Sequence, residues 1–312
     1  MLKYIDISEY QTVQNPNALN ADGVILRIGY TGYGSNKPSF DKKFEQFYRA
    51  YHDVGIKIGI YYFTLAQNEA MVDMETSWVL DKIKNKQIDL PIWVDIEGQN
   101  KSAGWTNLNK TIRSNLMARW CHNIQNAGYY CGIYANLDWL KNKLDGNIIG
   151  AFDKWVAQYA KKCTYTGFYG MWQYTSSENA QAHGIISDKN RIDASWIYYD
   201  YATLIRNAGL NHLAQSGYYL NGYDYSPVFN PNYYVSKYSD LKAAFSNDAN
   251  ALWLHFQQFG MNEFRQASKE FDPVYYRKNN PDVKQAFGDS RPMYYFHYVA
   301  CGKKEGRSGA GS

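Results

Sequence analysis

The stretch IKIGIYYFTLAQNEAMVDMETSWVLDKIKNKQIDLPIWVDIEG, residues 56–98, decides the fold class. Its ends contain short β-branched and aromatic runs at 58–63 and 92–96, which are typical of buried strands. An amphipathic stretch at 68–86 lies between them and predicts a helix. A strand, a helix and a second strand in this order predict two parallel strands of one sheet, joined by a crossover helix.

The same alternation continues in both directions along the chain. Gly55 and Gly128 each stand just before a strand, at the position of a helix C-cap. The eight predicted strands and the short spacing of the last three favour an α/β fold, an irregular TIM-like β/α barrel over residues 1–208. The further strands are predicted at 4–7, 24–29, 129–134, 155–159, 170–174 and 191–194, and further helices at 40–54, 110–127 and 137–144.

The pattern changes after the barrel, where an internal repeat begins. FNPNYYVSKYSDLKAAF at 229–245 matches FDPVYYRKNNPDVKQAF at 271–287, and the spacing of 42 residues continues from His255 to His297. A fixed period of this length indicates tandem structural units. We expect residues 229–307 to form a small, mainly α-helical repeat domain, with two helices in each unit, and residues 209–228 to form a linker.

The composition narrows the classes of function. The 312 residues include 30 Tyr and 9 Trp, and aromatic side chains suit stacking on sugar rings. The formal net charge is only +4 and no Lys/Arg stripe is visible, so we expect no nucleic-acid partner. No run of about 18 apolar residues occurs, so we expect no membrane partner. We expect a monomer.

Metal and redox chemistry are not indicated. Cys121, Cys131, Cys163 and Cys301 show no CxxC motif and no metal-ligand spacing. Buried free thiols, a Cys121–Cys131 bridge and a Cys131–Cys163 bridge all remain open. The histidines lack ligand spacing, and no HExxH motif or Ca²⁺ loop is present. We therefore expect no metal and no cofactor.

The strongest local signal for chemistry is PIWVDIEG at 91–98. Asp95 and Glu97 lie on the same face of an extended strand, about 6.5–7 Å apart along it. Each negative charge raises the pKa of the other carboxyl group, so that one of them can stay protonated as a general acid.

Two further acids end other predicted strands. IDIS places Asp6 at the end of the first strand, and RIDASW places Asp193 at the end of the last. The first and last strands are neighbours in a closed barrel, and barrel enzymes build their sites at the C-terminal face. We expect Asp6, Asp95, Glu97 and Asp193 to converge there as catalytic residues.

Polar and aromatic residues at strand ends are the candidates for substrate contacts. By the alternation of strand side chains, about half of such residues face the barrel interior. The residues that we expect to contact substrate are Tyr62, Tyr134, Gln158, Trp172 and Tyr174.

Residues 1–206 resemble the glycoside hydrolase family 25 muramidases, the Ch-type lysozymes. The pieces occur in the family's order across about two-thirds of the chain. They are IDISEYQ at 5–11, VILRIGYTGYGS at 24–35, GIKIGIYYFTLA at 55–66, LPIWVDIEG at 90–98, CGIYAN at 131–136, KWVAQYA at 154–160, MWQYTS at 171–176 and RIDAS at 191–195.

The resemblance implies an irregular β/α barrel that hydrolyses the β-1,4 bond between N-acetylmuramic acid and N-acetylglucosamine in peptidoglycan. It implies that Glu97 is the general acid and Asp95 its partner, with Asp6 and Asp193 completing the acidic site. The repeats resemble tandem modules attached to exported bacterial proteins, which makes 229–307 a candidate for binding other wall polymers. We expect an extracellular or wall-associated protein, or a phage lysin released at lysis, although the N-terminus shows no signal-peptide pattern.

Three alternatives remain open. Participation of the substrate's 2-acetamido group is the preferred mechanism, and inversion by a water molecule is the second. A chitinase-like N-acetylhexosaminidase would use a similar Asp-x-Glu strand end. A wall-binding protein without catalytic activity is the third alternative, although such a protein gains nothing from four clustered carboxylates.

Overall fold

A computed structural model describes residues 1–32, 34–98, 107–213 and 217–311 of the chain. The chain divides into two compact units, Met1–Ala214 and Gln215–Ser312. The strands of the first unit are β1 (Leu2–Ile7), β2 (Thr12–Val13), β3 (Gly23–Thr31), β4 (Pro38–Phe40), β5 (Ile58–Phe63), β6 (Ile92–Asp95), β7 (Cys131–Asn136), β8 (Asp153–Ala157), β9 (Met171–Asn179), β10 (Ile185–Ile186) and β11 (Arg191–Ile197). Its α-helices are α1 (Phe44–His52), α2 (Glu69–Ile83), α3 (Lys110–Asn126), α4 (Gly146–Ile149) and α5 (Tyr201–Asn207).

Eight of these strands close into a barrel. The sheet order is β1-β11-β9-β8-β7-β6-β5-β3-β4, and a pairing between β1 and β3 closes the ring, with β4 added beyond it. The pairs from β1–β3 through β8–β9 are parallel, as strand–helix alternation predicts. The predicted α/β barrel is confirmed. None of the helices in the described ranges is long and apolar enough to cross a membrane.

The irregularity of the barrel lies in β11. This strand runs antiparallel to both of its neighbours, β1 and β9. Register shifts against β9 lie on either side of Ala194, next to Asp193. The short connection between β9 and β11 contains no crossover helix, so the chain turns back instead of crossing to a parallel position. Asp193 therefore lies near the beginning of its strand, and the expectation that it ends a strand is wrong.

Side chains alternate between two packed layers. Ile5, Leu26 and Val94 face the helices, whereas Tyr4, Trp93 and Trp155 fill the barrel interior. Helices α2 and α3 begin at Asn68 and Asn109, whose side chains accept hydrogen bonds from backbone N–H groups in the first turn. Gly55 and Gly128 have φ values of +73° and +85°, which confirms their predicted place after helix ends.

All four cysteines are free thiols. Cys121 and Cys131 are buried, and burial raises the pKa of the Cys131 thiol well above its usual value. Neither of the two bridges left open by the sequence is formed.

The second unit consists of a hairpin followed by short helices. Each repeat contains three α-helices where the sequence predicted two, because the extended residues Tyr238 and Asn280 divide the first predicted helix. The elements are β12 (Tyr219–Leu220), β13 (Tyr223–Asp224), α6 (Pro231–Lys237), α7 (Ser239–Phe245), α8 (Ala249–His255), α9 (Pro273–Asn279), α10 (Pro281–Phe287) and α11 (Pro292–His297), and π-helical turns at Phe256–Gly260 and Tyr298–Gly302 follow α8 and α11.

Equivalent contacts recur 42 residues apart in the two repeats. The hydroxyl of Tyr234 lies 3.1 Å from Nδ1 of His255, and that of Tyr276 lies 2.9 Å from Nδ1 of His297. Each repeat is also closed from outside its helices. The backbone N–H of Asn230 donates to the carbonyl of Ala267, and that of Asp272 donates to the carbonyl of Gly309.

The predicted linker at 209–228 is not a separate segment. Asn211 is buried in the first unit, where its side chain donates to the carbonyls of Ile88 and Leu90 and accepts from the N–H of Tyr130. Residues 217–228 belong to the second unit, and Tyr225 lies in its core. The boundary therefore falls at Ala214, not at 208.

Candidate active site

The barrel brings four acids together at one end. Asp6 lies near the end of β1 and is paired with Asp193 in register across β1 and β11. Asp95 is the last residue of β6, and Glu97 follows two residues later. Because β11 is antiparallel, the beginning of this strand meets the carboxyl end of β1, and Asp193 reaches the predicted place from the opposite direction.

Burial makes full ionisation of this group unfavourable. Asp6 is 8% exposed and Asp95 is 5% exposed. Burial, followed by the charges of neighbouring acids, raises the pKa of both carboxyl groups well above the usual value. Burial also raises the pKa of Asp193 to about 6. The site therefore retains protons at a pH at which exposed carboxyl groups have lost them.

The four acids have different neighbours, which separates their roles. A hydrogen bond between the carboxyl groups of Asp6 and Asp193 raises the pKa of Asp6 and lowers that of Asp193, so the shared proton resides on Asp6. Burial raises the pKa of Glu97, while a hydrogen bond with Tyr134 acts in the opposite direction. While Glu97 is protonated it does not repel Asp95, and the positive charge of Arg27 then favours the ionised form of Asp95.

One oxygen of Asp95 is available to a substrate. Its Oδ1 is buried and has no hydrogen-bond partner in the described part of the chain. A buried polar atom without a partner is costly unless it has a function. This oxygen can accept a hydrogen bond from a donor that enters the site.

A cleft of about 430 Å³ opens at these acids. Arg27 lies in it, held by Asp41 at 2.8 Å and Glu9 at 3.1 Å, with its guanidinium over the rings of Tyr10 and Tyr30. The residues lining the cleft are Ser8, Tyr10, Arg27, Tyr30, Tyr61, Phe63, Asp95 and Glu97. Aromatic faces beside carboxylates and a cation can take a ring-shaped polar ligand.

Tyr134 is the one predicted substrate contact that faces the acids. Its hydroxyl donates to Oε1 of Gln173 at 3.0 Å and lies close to Glu97. A phenol hydroxyl carries one proton, so it can donate to Gln173 or to Glu97 but not fully to both.

The structure corrects the expectation for Tyr62. This residue is 0% exposed and lies between the sheet and the helices, with Trp78 and Trp120 beside its ring. Its hydroxyl lies 2.8 Å from Oγ1 of Thr31, outside the cleft. Tyr61, one residue earlier, lines the cleft instead. The alternation of Ile58 and Ile60 toward the helices is the sequence signal that selects Tyr61.

The remaining three predicted contacts also lie away from the cleft. Gln173 faces the acids, so Trp172 and Tyr174 on either side of it in β9 face outward. The Trp172 indole donates to the carbonyl of Gln158, and the Tyr174 ring stacks on Trp196. The side-chain amide of Gln158 is bonded to Thr164.

Arg27 and Gln173 are site residues that the sequence did not identify as such. Arg27 occupies an inward position of β3, between the outward residues Leu26 and Ile28. A charged residue within an apolar strand such as VILRIGY is the signal that could have marked it. Gln173 sits between two aromatic residues in MWQYTS, and only the parity of β9 shows where it points.

Comparisons with known proteins agree with this arrangement. The sequence model described as Glycosyl hydrolases family 25 matches residues 5–183. The modular autolysin LytC from Streptococcus pneumoniae, solved in complex with synthetic peptidoglycan ligand, is 26% identical with a TM-score of 0.54, over 62% of this chain and 46% of that chain. This chain therefore spans about half of that autolysin's length.

Two other solved structures share the fold. The catalytic domain of endolysin ply40 from bacteriophage P40 of Listeria monocytogenes is 22% identical, with a TM-score of 0.52 over 66% of this chain and 97% of that chain. A muramidase from Acremonium alcalophilum is 20% identical, with a TM-score of 0.52 over 67% of this chain and 99% of that chain. No curated protein matches the chain. The family match covers more than half of the 312 residues, and the chain therefore belongs to the glycosyl hydrolases of family 25.

Proposed function

We propose that this chain is a peptidoglycan hydrolase that cleaves the β-1,4 bond between N-acetylmuramic acid and N-acetylglucosamine. The observation that carries the proposal is the convergence of four buried acids on one cleft, with a protonated Glu97 beside an Asp95 oxygen that lacks a partner. The comparison with an autolysin solved in complex with a peptidoglycan ligand supports this substrate class.

In the proposed first step, Glu97 acts as the general acid. Burial keeps its proton in place, and the carboxyl group gives that proton to the glycosidic oxygen as the bond to the anomeric carbon breaks. The leaving sugar departs with a free 4-hydroxyl group, and Glu97 is left as a carboxylate.

The 2-acetamido group of the substrate supplies the nucleophile. Its carbonyl oxygen bonds to the anomeric carbon and forms an oxazolinium ion, while its N–H donates to Oδ1 of Asp95. The negative charge of Asp95 stabilises the positive charge that develops on the ring. Arg27 contributes by favouring the ionised form of Asp95.

Water completes the reaction. The Glu97 carboxylate removes a proton from a water molecule, whose oxygen attacks the anomeric carbon and opens the oxazolinium ring. Two displacements at one carbon restore the starting configuration, so the product is the β anomer. Direct attack by water would give the α anomer and is the alternative mechanism.

A lysis assay followed by analysis of the fragments tests the function. Purified peptidoglycan should lose turbidity and release muropeptides whose new reducing ends are N-acetylmuramic acid. Release from chitin oligomers instead would support the N-acetylhexosaminidase alternative. Binding to peptidoglycan without any new reducing ends would indicate a wall-binding protein without catalytic activity.

We also propose that the protein acts at the cell wall, as a secreted enzyme or as a phage lysin, and that the repeats at 229–307 increase its concentration there. Support comes from the separate compact unit, which contains none of the four acids. A polar cleft of about 540 Å³ in this unit, with Asn232 and Tyr233 among its lining residues, offers room for a wall polymer.

A further inference from the structure

Gln173 directs its whole side-chain amide into the acid site. The residue is 2% exposed and lies on β9. Its Nε2 donates to Oδ2 of Asp6 at 3.0 Å. Its Oε1 accepts from the hydroxyl of Tyr134 at 3.0 Å and from that of Tyr159 at 3.2 Å. The amide therefore joins one of the four acids to two phenol hydroxyl groups.

The surrounding strands hold this amide in place. Gln173 is in register with Ser195 of β11 and with Ala157 of β8. The Oγ of Ser195 accepts a hydrogen bond from the indole of Trp155 at 3.0 Å. A buried side chain packed in this way has few alternative rotamers, so its two amide ends keep fixed directions.

Gln173 thereby controls the direction of the proton on Tyr134. When Tyr134 donates to Oε1 of Gln173, its oxygen can only accept from Glu97, and only a protonated Glu97 has a proton to donate. When Glu97 is a carboxylate, the same hydroxyl can turn and donate to it. Tyr159 then continues to satisfy Oε1 of Gln173, which explains why one amide oxygen has two donors.

We propose that Gln173 is a positioning residue that couples the protonation state of Glu97 to the orientation of Asp6 through the hydroxyl of Tyr134. The inference rests on the proposed function, because it concerns the proton that Glu97 gives and regains. No covalent bond changes at Gln173 or Tyr134, and only the direction of a hydrogen bond is reversed. Before cleavage the arrangement favours the protonated acid, and after cleavage it stabilises the carboxylate that activates water.

The groups that face this amide and its partners come from most of the barrel strands. They are Asp6 on β1, Arg27 on β3, Tyr61 on β5, Asp95 and Glu97 at the end of β6, Tyr134 on β7, Tyr159 after β8 and Asp193 on β11.

Two substitutions at this position are expected to move the pH profile in opposite directions. Gln173→Met keeps the length of the side chain but removes the acceptor for Tyr134, whose proton then serves the Glu97 carboxylate in the free enzyme. The acid form of Glu97 is lost at a lower pH, and the basic limb of kcat/KM moves down. Gln173→Glu keeps an acceptor for both tyrosines and adds a negative charge, which moves the basic limb up.

The matched control is Gln158→Met, which changes the same residue type at the end of the neighbouring strand. Its amide is bonded to Thr164 and not to an acid, so its pH profile should stay that of the wild type. With soluble peptidoglycan oligomers as substrate, Gln173→Met should lower kcat by up to about 10²-fold and leave KM closer to the wild-type value. Thermal melting followed by circular dichroism establishes that each variant is folded.

Opposite movements of the basic limb support the inference. It is overturned if folded Gln173→Met and Gln173→Glu keep the wild-type limb or move it in the same direction. If Gln173→Met does not fold, Gln173→Glu alone decides: an upward movement supports the inference and any other result overturns it. The wild type in the same assay tests the proposed function separately, because a wild type that releases no new reducing ends contradicts that function.

Discussion

The barrel and the repeat unit both bury many aromatic rings, but they treat charge in opposite ways. In the barrel, Asp6, Asp95 and Asp193 lie close together without an ion-pair partner among the described residues, and their pKa values are raised. In the repeat unit, Arg265 pairs with Asp240 and Arg307 pairs with Asp282, each at 2.8 Å. Clustered like charges destabilise a fold, whereas these pairs close one. The difference indicates which unit performs chemistry.

Burial alone would not make this distinction. Glu75 on α2 is fully buried, and burial raises its pKa to about 7. Its carboxyl oxygens, however, accept from Thr31, Thr64 and Trp120, and they join strand ends to helices. Asp95 has an oxygen without such a donor. A buried acid with all its partners is structural, and one that lacks a partner at a cleft is a candidate for function.

The largest expected effect separates the two units directly. Glu97→Gln should leave a folded protein and lower the rate of peptidoglycan cleavage by about 10²–10⁴-fold, because the general acid is lost. Glu263→Gln removes an acid that pairs with Arg265 in the repeat unit and should not change cleavage of soluble oligomers. Measured rates for the two variants test the contrast. More than a tenth of wild-type activity in Glu97→Gln would show that the acid is wrongly assigned.

Asp95→Asn should lower the cleavage rate by about 10²–10³-fold, as expected when one electrostatic contact to a transition state is lost. Glycan binding should persist, because the cleft keeps its shape, and equilibrium dialysis of an oligomer measures it. A proton NMR time course of the wild type reports the first anomer formed. An α anomer would exclude participation of the acetamido group.

Removal of the repeat unit should weaken binding to intact sacculi by about 10²-fold, the lower end of the gain from a second tethered site. The shortened chain should end at Ala214, because an end at Asn207 would remove the buried Asn211 from the barrel. Cleavage of small soluble muropeptides should be unaffected. Equal retention of full-length and shortened chains on sacculi would leave the repeats without a role in targeting.

The smallest effect concerns stability, and the two units should respond to pH with opposite signs. The raised pKa of Asp193, about 6, contributes stability that is present below about pH 4 and is lost as the pH rises through about 6. Hydrogen bonds from Arg307 lower the pKa of Asp282 to about 2, so its contribution is present above about pH 4 and is lost as the pH falls through about 2. Acidification from about pH 7 to about pH 5 should stabilise the barrel and not the repeats.

Hydrogen exchange measured on the full chain by mass spectrometry, and corrected for intrinsic rates, can follow β6 and α10 separately. Asp193→Asn removes the titrating group and should flatten the response of the barrel. Stronger protection of β6 at the higher pH would contradict the assignment of raised pKa values.

Local patterns were sufficient to predict the barrel and its four acids. The alternation in PIWVDIEG places Asp95 and Glu97, and the topology of a closed sheet brings Asp6 beside Asp193. The substrate contacts depended on parity, because a shift of one residue along a strand reverses the face, as Tyr61 and Tyr62 show. Tyr134 was placed correctly on an inward position, whereas Trp172 and Tyr174 were not.

Long-range contacts explain most of the remaining differences. The direction of β11 depends on a connection without a helix, and strand composition carries no information on direction. The role of Asn211 depends on carbonyls about 120 residues earlier in the chain. A glycine-containing segment such as 209–228 therefore resembles a linker until its partners are known.

The way in which each repeat is closed bears on how such a chain can change during evolution. The carbonyl that closes the first repeat belongs to Ala267, which lies just before the second, and Gly309 takes the equivalent place for the second repeat. Each copy thus supplies the backbone group that completes its predecessor. Duplication or deletion of a segment of 42 residues would preserve every such junction, so recombination could alter the number of copies without requiring compensating substitutions in the barrel.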